Sequence, residues 1–202
     1  MSESAGRANQ QSGAKTVRVP LVERDEMSEA GQPIYDRVSG ARGHMGNVFK
    51  ALANSSGSLD KVAAIGELVR FQVPFDAQLR EAVILTVARE LKCGYEYTHH
   101  YHIADKLGFD PDVLPRIATP DGEKQPAPIG PALRYARLVS RNEPVPDDLF
   151  EELRGLFGNA MLTDLTVMVG YYGLLARVIN TFQVPVEEGT DAVGVPDLEN
   201  AH

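Results

Sequence analysis

The residues able to do chemistry crowd into one stretch. Arg80-Glu81 is followed, after a mostly apolar run, by Cys93-Gly94-Tyr95-Glu96-Tyr97-Thr98-His99-His100-Tyr101-His102, so three of the five histidines fall within four positions. On a helix, Glu96 and His100 are i, i+4 neighbours on one face, with Cys93 a turn earlier on the same side; His99 and His102 share a rotated face. A carboxylate against an imidazole holds one tautomer and raises its basicity, which suits general acid–base work near neutral pH. A helix starting near Cys93 would set the thiol at the positive end of the macrodipole and favour the thiolate, the nucleophilic form. Cys93 is the single cysteine, so an intramolecular disulfide and a multi-thiolate zinc site are excluded. Three readings stay open for it: inert core residue, nucleophile, or crosslink to another molecule.

The elements that must position these groups read as helices. Asp76 is a good N-cap for a helix whose apolar residues are Leu79, Val83, Ile84, Val87 and Leu91. Gly94 interrupts it, and a further helix runs to Leu107 with Gly108 as its C′ residue. In one straight helix Glu81 would lie ~18 Å from Cys93. A hairpin at Lys92–Gly94 instead brings Glu81 back beside His100 to Ala104, which makes Glu81–His100 the better pair. Glu81 is equally open to a structural role against Arg80 or Arg89. Glu96, His99, His100 and His102 can be drawn as metal ligands, but adjacent histidines on a helix point about 100° apart, so no metal site is assigned; His99 and His102 read as surface or subunit-contact residues.

Elsewhere the pattern is helical as well. Asp25–Val38 is a helix ended by Ser39-Gly40, and a short one spans Asn47–Ala53. Ser58 opens another with Leu59, Val62, Ala63, Ile65 and Val69 on one face, stopped before Pro74. Asp110-Pro111 restarts the chain. Thr119–Pro131, with four prolines, is a loop and the one candidate linker. Helices follow at Pro131–Ser140, Asp147–Phe157 and Leu162–Phe182. The last is apolar nearly all round before Arg177, so it should be buried in the core or against another subunit; a homo-oligomer is expected. Arg177 then needs a partner, a structural Glu or a substrate carboxylate. Tyr97, Tyr101, Tyr171 and Tyr172 read as core and interface packing. Alternation long enough for a sheet and repeats at solenoid periods are both missing.

Composition bounds the whole. A chain of 202 residues fits one domain, here residues 21–184, with 1–20 as a disordered arm and 185–202 as an acidic tail. The 20 Lys+Arg against 28 Asp+Glu leave a net charge of −8, which argues against nucleic-acid or anionic-membrane surfaces. No uninterrupted apolar run approaches the ~20 residues of a membrane span, and the N-terminus lacks the apolar core of a secretion signal. A cytoplasmic protein is expected.

Glu81, eleven intervening residues, Cys93, two more, Glu96, three more and His100 resemble the signature of the carboxymuconolactone decarboxylase and alkylhydroperoxidase D superfamily. The strong part is Phe75–Phe109; Gly46-Asn47-Val48-Phe49-Lys50-Ala51-Leu52 and Gly170-Tyr171-Tyr172 fit more loosely. The resemblance implies an all-α helical bundle assembled as trimers or hexamers. It also implies that Glu81 is the relay glutamate, Cys93 the first cysteine of a Cys-x-x-Cys pair and His100 the relay histidine. The second cysteine's position holds Glu96, and a carboxylate cannot form or resolve a disulfide. What the resemblance then favours is a cofactor-free enzyme doing acid–base chemistry on a small organic acid or lactone, with His100, Glu81, Glu96 and Cys93 as site residues. Two alternatives are a single-cysteine thiol peroxidase using Cys93, and a non-catalytic assembly protein, which would have no cavity at Glu81, Glu96 and His100.

Overall fold

Six consecutive residues, Ala82–Val87, leave a helix almost no polar face, because successive side chains point about 100° apart and six of them circle the axis. That helix is the centre of the molecule. The computed structural model describes residues 16–197, and every regular element in that span is helical: α1 (Gln32–Arg42), α2 (Asn47–Leu52), α3 (Ser56–Glu67), α4 (Ala77–Glu90), α5 (Gly94–Lys106), α6 (Ile129–Ser140) and α7 (Asp147–Phe182). Asp76 caps α4 as expected, its carboxylate accepting from the Leu79 amide at 3.0 Å. α4 is sheathed by α5, α6 and α7, so Leu79, Ala82, Val83, Ile84, Leu85, Val87 and Ala88 are all buried. The one hydroxyl in the run, Thr86, donates to the Ala82 carbonyl at 2.9 Å. At the C-terminal end, buried Glu90 is ion-paired with Arg89, with Arg137 of α6, and with Arg141 at 2.6 Å.

Several boundaries move for identifiable reasons. The helix expected from Asp25 begins at Gln32, with Pro33 in its first turn, where a missing amide costs nothing. It runs past Ser39-Gly40 to Arg42, and Gly43 at φ 76° supplies the left-handed cap. The two last helices are one element, broken at Gly158, whose φ of 69° is non-helical. By length and composition α7 could cross a bilayer, but Leu162, Leu165, Met168, Val169, Leu175 and Ile179 are buried inside the bundle; it is a core helix of this chain. Its apolar character is not matched by burial all round, since Val167 and Leu174 face outward. Arg177 is exposed, not buried, and donates to the Gly173 carbonyl at 2.7 Å.

The proline-rich segment is part of the core. Pro120–Lys124 forms a 3-10 turn, Glu123 pairs with Arg137 at 2.6 Å, and Gly122 is packed so closely that a Cβ there would lie 1.9 Å from the Ile117 carbonyl oxygen. At the N-terminal end the Arg18 amide donates to the Phe182 carbonyl at 2.8 Å; residues 1–15 of the expected arm, and 198–202 of the expected tail, lie outside the described residues. The described part of that tail, Pro185 to Asp197, is laid along α5 as a strap. The Val193 amide donates to Thr98 Oγ1 at 3.1 Å, His102 Nε2 meets the Asp191 carbonyl at 2.8 Å, and Arg89 donates to the Asp197 carbonyl.

Replacing Gly122 by alanine should lower stability by about 1–3 kcal/mol, the usual cost of overpacking. Urea denaturation measures it; an unchanged midpoint would mean that this segment is not packed as described.

Candidate functional site

A short reversal sets the geometry. α4 ends at Glu90 with Leu91 as its cap, Lys92 takes a left-handed conformation at φ 52°, and Cys93 caps α5. The chain doubles back, and Glu81, deep in α4, meets His100 of α5. Glu81 Oε2 lies 2.5 Å from His100 Nδ1, and Glu96 Oε2 lies 3.3 Å from His100 Nε2. Both ring nitrogens therefore face carboxylates. The second Glu81 oxygen faces Arg80 Nε at 3.3 Å. The side chains of Glu81 and His100 are 0% and 3% exposed.

Burial alone would push an imidazolium toward neutrality. Glu81, with Glu96 behind it, more than offsets this, and His100 is held above its ordinary 6.5. Glu81 shows the mirror image: burial pushes its carboxyl up, but the His100 charge and hydrogen bond, helped by Arg70 and Arg80, leave it below its ordinary 4.5.

The imidazole stands at the wall of a cavity of about 240 Å³. Glu96 and His100 line it; Glu81 supports the ring from behind. Arg42 and Arg70 give the cavity positive charge against Glu96, and Phe49, Phe71, Tyr95, Tyr171 and Tyr172 supply flat apolar walls. Arg42 is tied down, over the Phe49 ring at 4.4 Å and bonded to the Ala63 carbonyl at 3.2 Å. Arg70 sits on a π-helical segment, Leu68–Gln72, and pairs with no carboxylate among the described residues. Such segments often mark functional sites. Tyr172 stands edge-on to His100 with centroids 5.1 Å apart. Burial pushes its phenol well up, so it keeps its proton, and its hydroxyl has no partner among the described residues.

Cys93 does not join this group. It is completely buried and lines no part of the cavity. Burial first, then the charge of Glu96, pushes the thiol up to about 12, although the amides of Glu96 and Tyr95 act the other way. The thiolate expected from the helix terminus is thus corrected: desolvation outweighs the dipole. His99 and His102, expected as surface or subunit contacts, are held by the strap. Glu187 of the strap accepts from the Asn47 amide and from Tyr95 Oη, both at 2.7 Å, and lies 2.6 Å from His99 Nε2. Those partners outweigh burial and bring its carboxyl down to about 2.

The helical expectation and the Glu81–His100–Glu96 convergence were within reach of spacing. Arg70, Phe71 and Glu187 were not. Arg70-Phe71 read only as the stop before Pro74, and Glu187 sat in a segment whose prolines and glycines suggest a tail. Its one signal was the acidic pair Glu187-Glu188 in a chain with a cluster of histidines at 99–102.

These helices and their order define the alkylhydroperoxidase D-like fold. It is shared with the alkylhydroperoxidase core of an uncharacterized peroxidase-related protein from Ralstonia eutropha JMP134, at TM-score 0.72 and 21% identity over 85% of this chain and 93% of that one. An uncharacterized peroxidase-related protein from Silicibacter sp. TM1040 matches at TM-score 0.72 and 17% identity over 90% and 96% of the two chains. A cysteine-to-alanine variant of the debrominase Bmp8, in complex with 2,3,4-tribromopyrrole, matches at TM-score 0.66 and 13% identity over 86% and 93%. No family model and no curated sequence matches the chain.

Two outcomes follow. The native thiol should resist a colourimetric thiol reagent at pH 8 and react only on unfolding; prompt labelling would contradict its burial. Because His100 binds its proton more tightly folded than unfolded, its contribution to stability is complete below pH 6.5 and lost as pH rises through the raised folded value. That of Glu81 is complete above pH 4.5 and lost as pH falls through its lowered value. The melting-temperature gap between the wild type and a Glu81→Gln/His100→Gln double variant should therefore be widest between those pH values and narrow on both sides.

Proposed function

We propose that the protein is a carboxymuconolactone decarboxylase-like enzyme performing proton-transfer chemistry on a small carboxylated lactone or related organic acid. The observation that carries the reading is His100, clamped between Glu81 and Glu96 at the wall of a cavity. A histidine so placed can hold or release a proton at Nε2, while Glu81 fixes the ring at Nδ1. In a decarboxylation the carbon–carbon bond to the departing carboxylate breaks. Its electron pair is delocalised into the unsaturated lactone carbonyl, carbon dioxide leaves, and His100 returns a proton to carbon. Electrons balance without oxidant or reductant. Arg70 and Arg42 favour an anionic substrate, and the aromatic walls favour a flat one. Glu96 sets the charge on the cavity side of the ring.

The thiol-peroxidase reading draws on the peroxidase-related neighbours, but the same geometry weighs against it. Attack on a hydroperoxide needs an accessible thiolate, and Cys93 is enclosed with its thiol pushed up to about 12. The non-catalytic reading expects no enclosed pocket behind Glu81, Glu96 and His100; Glu96 and His100 line a cavity, with Glu81 behind the ring, which weighs against that reading.

The test is a panel of carboxymuconolactone, other small carboxylated lactones and β-keto acids in deuterated buffer. Carbon dioxide release and deuterium incorporation are followed by NMR. His100→Gln should lower kcat/KM by about 10²–10⁴-fold, the usual worth of a general acid–base group, and Cys93→Ser should leave it intact. Full turnover by His100→Gln, or no turnover of any panel member, would overturn the reading.

A further inference from the structure

The two arginines on the cavity wall are not equivalent. Arg42 is committed to the fold: its guanidinium donates to the carbonyls of Val38 and Ala63, lies 3.6 Å from Glu67 and sits over the Phe49 ring. Gly66 shows how tightly it is lodged, since a Cβ there would lie 2.9 Å from that guanidinium and 2.2 Å from Tyr171 Oη. Arg70 is different. It makes no hydrogen bond and no ion pair with any described residue, and its nitrogens are not sealed off. It is half-buried beside fully buried Val69, and its Cζ lies 5.6 Å from the centroid of the Phe71 ring. Burial pushes the phenols of Tyr171 and Tyr172 up, and the charge of Arg70 opposes it. At Glu81 the upward push of burial is overcome by His100, with Arg70 helping. The guanidinium is therefore felt inside the site. A half-buried guanidinium with no protein acceptor is matched to a carboxylate, whose paired oxygens accept from its fork of donors.

We propose that Arg70 is the specificity-determining residue of this cavity, its guanidinium binding a carboxylate that stays on the substrate while the reaction proceeds at His100. The inference rests on the proton-transfer reading above and deepens it. The carboxylate that departs is a poor partner for Arg70. Loss of carbon dioxide carries negative charge away from that group, so a cation paired with it holds the ground state more strongly than the transition state. A carboxylate elsewhere on the substrate keeps its charge throughout. Pairing with it is uniform binding, which lowers KM and leaves kcat alone. Glu96 gives the cavity its polarity: its charge beside His100 repels a fixed anion from that group, and Arg70 draws one to itself. A neutral ester or amide of the same acid would cover the guanidinium with a poorer acceptor and is selected against.

Binding and turnover test it separately on the full chain. The binding probe is 2-furoate, a flat ring with one carboxylate, set against furan-2-carboxamide, its neutral counterpart, each titrated by ligand-observed NMR. The wild type should bind furoate about 10–100-fold more tightly than the amide, the usual range for a hydrogen bond to a charged group. Arg70→Gln should abolish the preference, and Arg70→Lys, a point charge without the fork, should keep part of it. Both variants should melt with the wild type, because Arg70 holds no described residue in place. A wild type without the preference, or an Arg70→Gln variant that retains it, would overturn the proposal. On a panel acid that is turned over, Arg70→Gln should raise KM by about 10-fold or more and change kcat by less than about threefold; a loss confined to kcat would also overturn it. Dead His100→Gln with an unchanged KM in Arg70→Gln sinks this inference alone. Fully active His100→Gln with the furoate preference lost in Arg70→Gln sinks the earlier reading and leaves Arg70 as the anion-binding residue of the cavity.

Discussion

A carboxylate at the centre of a hydrophobic bundle is the constraint on which the structure turns. Glu81 is 0% exposed on a helix whose neighbours are alanine, valine, isoleucine and leucine. Left alone, such a charge would cost several kcal/mol and would be neutralised instead. His100 is what makes it tolerable, and only because the reversal at Lys92 sets α5 in the one register that brings Nδ1 within 2.5 Å. Breaking a buried pair by removing one member costs about 3–5 kcal/mol, so the α4–α5 register is fixed by charge as much as by packing. The same contact that locks the hairpin also presents Nε2 to a cavity with its ring already oriented.

Everything else at the site is brought in by elements remote in sequence. The corner before α2 supplies His44 and Gly46, the π-helical segment supplies Arg70 and Phe71, and α7 supplies Tyr171 and Tyr172. The strap supplies no lining residue yet fixes Tyr95 and His99 through Glu187. A single ordinary helix could not offer so many converging groups, because side chains one position apart diverge. The cavity's charge balance follows: two arginines and three histidines against Glu96 on its lining, in a chain whose overall charge is −8. Net charge says nothing about this local reversal of sign.

How far the sequence could be read depended on the range of the interaction. Local signals were legible: Asp76 as a cap, Gly108 as a left-handed stop, and the i, i+4 relation of Glu96 and His100. The α4–α5 hairpin was legible because a short break between two apolar helices admits few geometries. Burial was read less well. The pattern suggested an all-round apolar helix over Leu162–Phe182, whereas α4 is the fully enclosed helix and α7 shows Val167 and Leu174 to the outside. A helix of small and branched residues fits the crowded centre better than one carrying Tyr and Phe, a matter of volume that hydropathy does not record. The strap was invisible for the opposite reason. Proline, glycine and acid mark irregular backbone, and irregular backbone can be pinned by side-chain hydrogen bonds as firmly as a helix is by its own.

Cys93 shows how two local rules are ranked. A helix N-terminus contributes roughly 0.3–1 kcal/mol to a favourable charge, up to ~2 when partly buried, and one pKa unit is worth about 1.4 kcal/mol. By this measure the dipole depresses a thiol by roughly one and a half units at most. Full desolvation moves a group by as much as 3–5 units the other way, and a carboxylate one turn on adds to it. The thiol is accordingly pushed up to about 12 from its ordinary 9.0. Glu96 acts on two groups at once. It is a carboxylate where the resemblance expects a second cysteine, and its charge makes the Cys93 thiolate harder to form. The same carboxylate faces Nε2 of His100 across 3.3 Å, where it favours the protonated ring. One carboxylate therefore acts on two neighbours with opposite chemistry, disfavouring the charged thiol and favouring the charged ring.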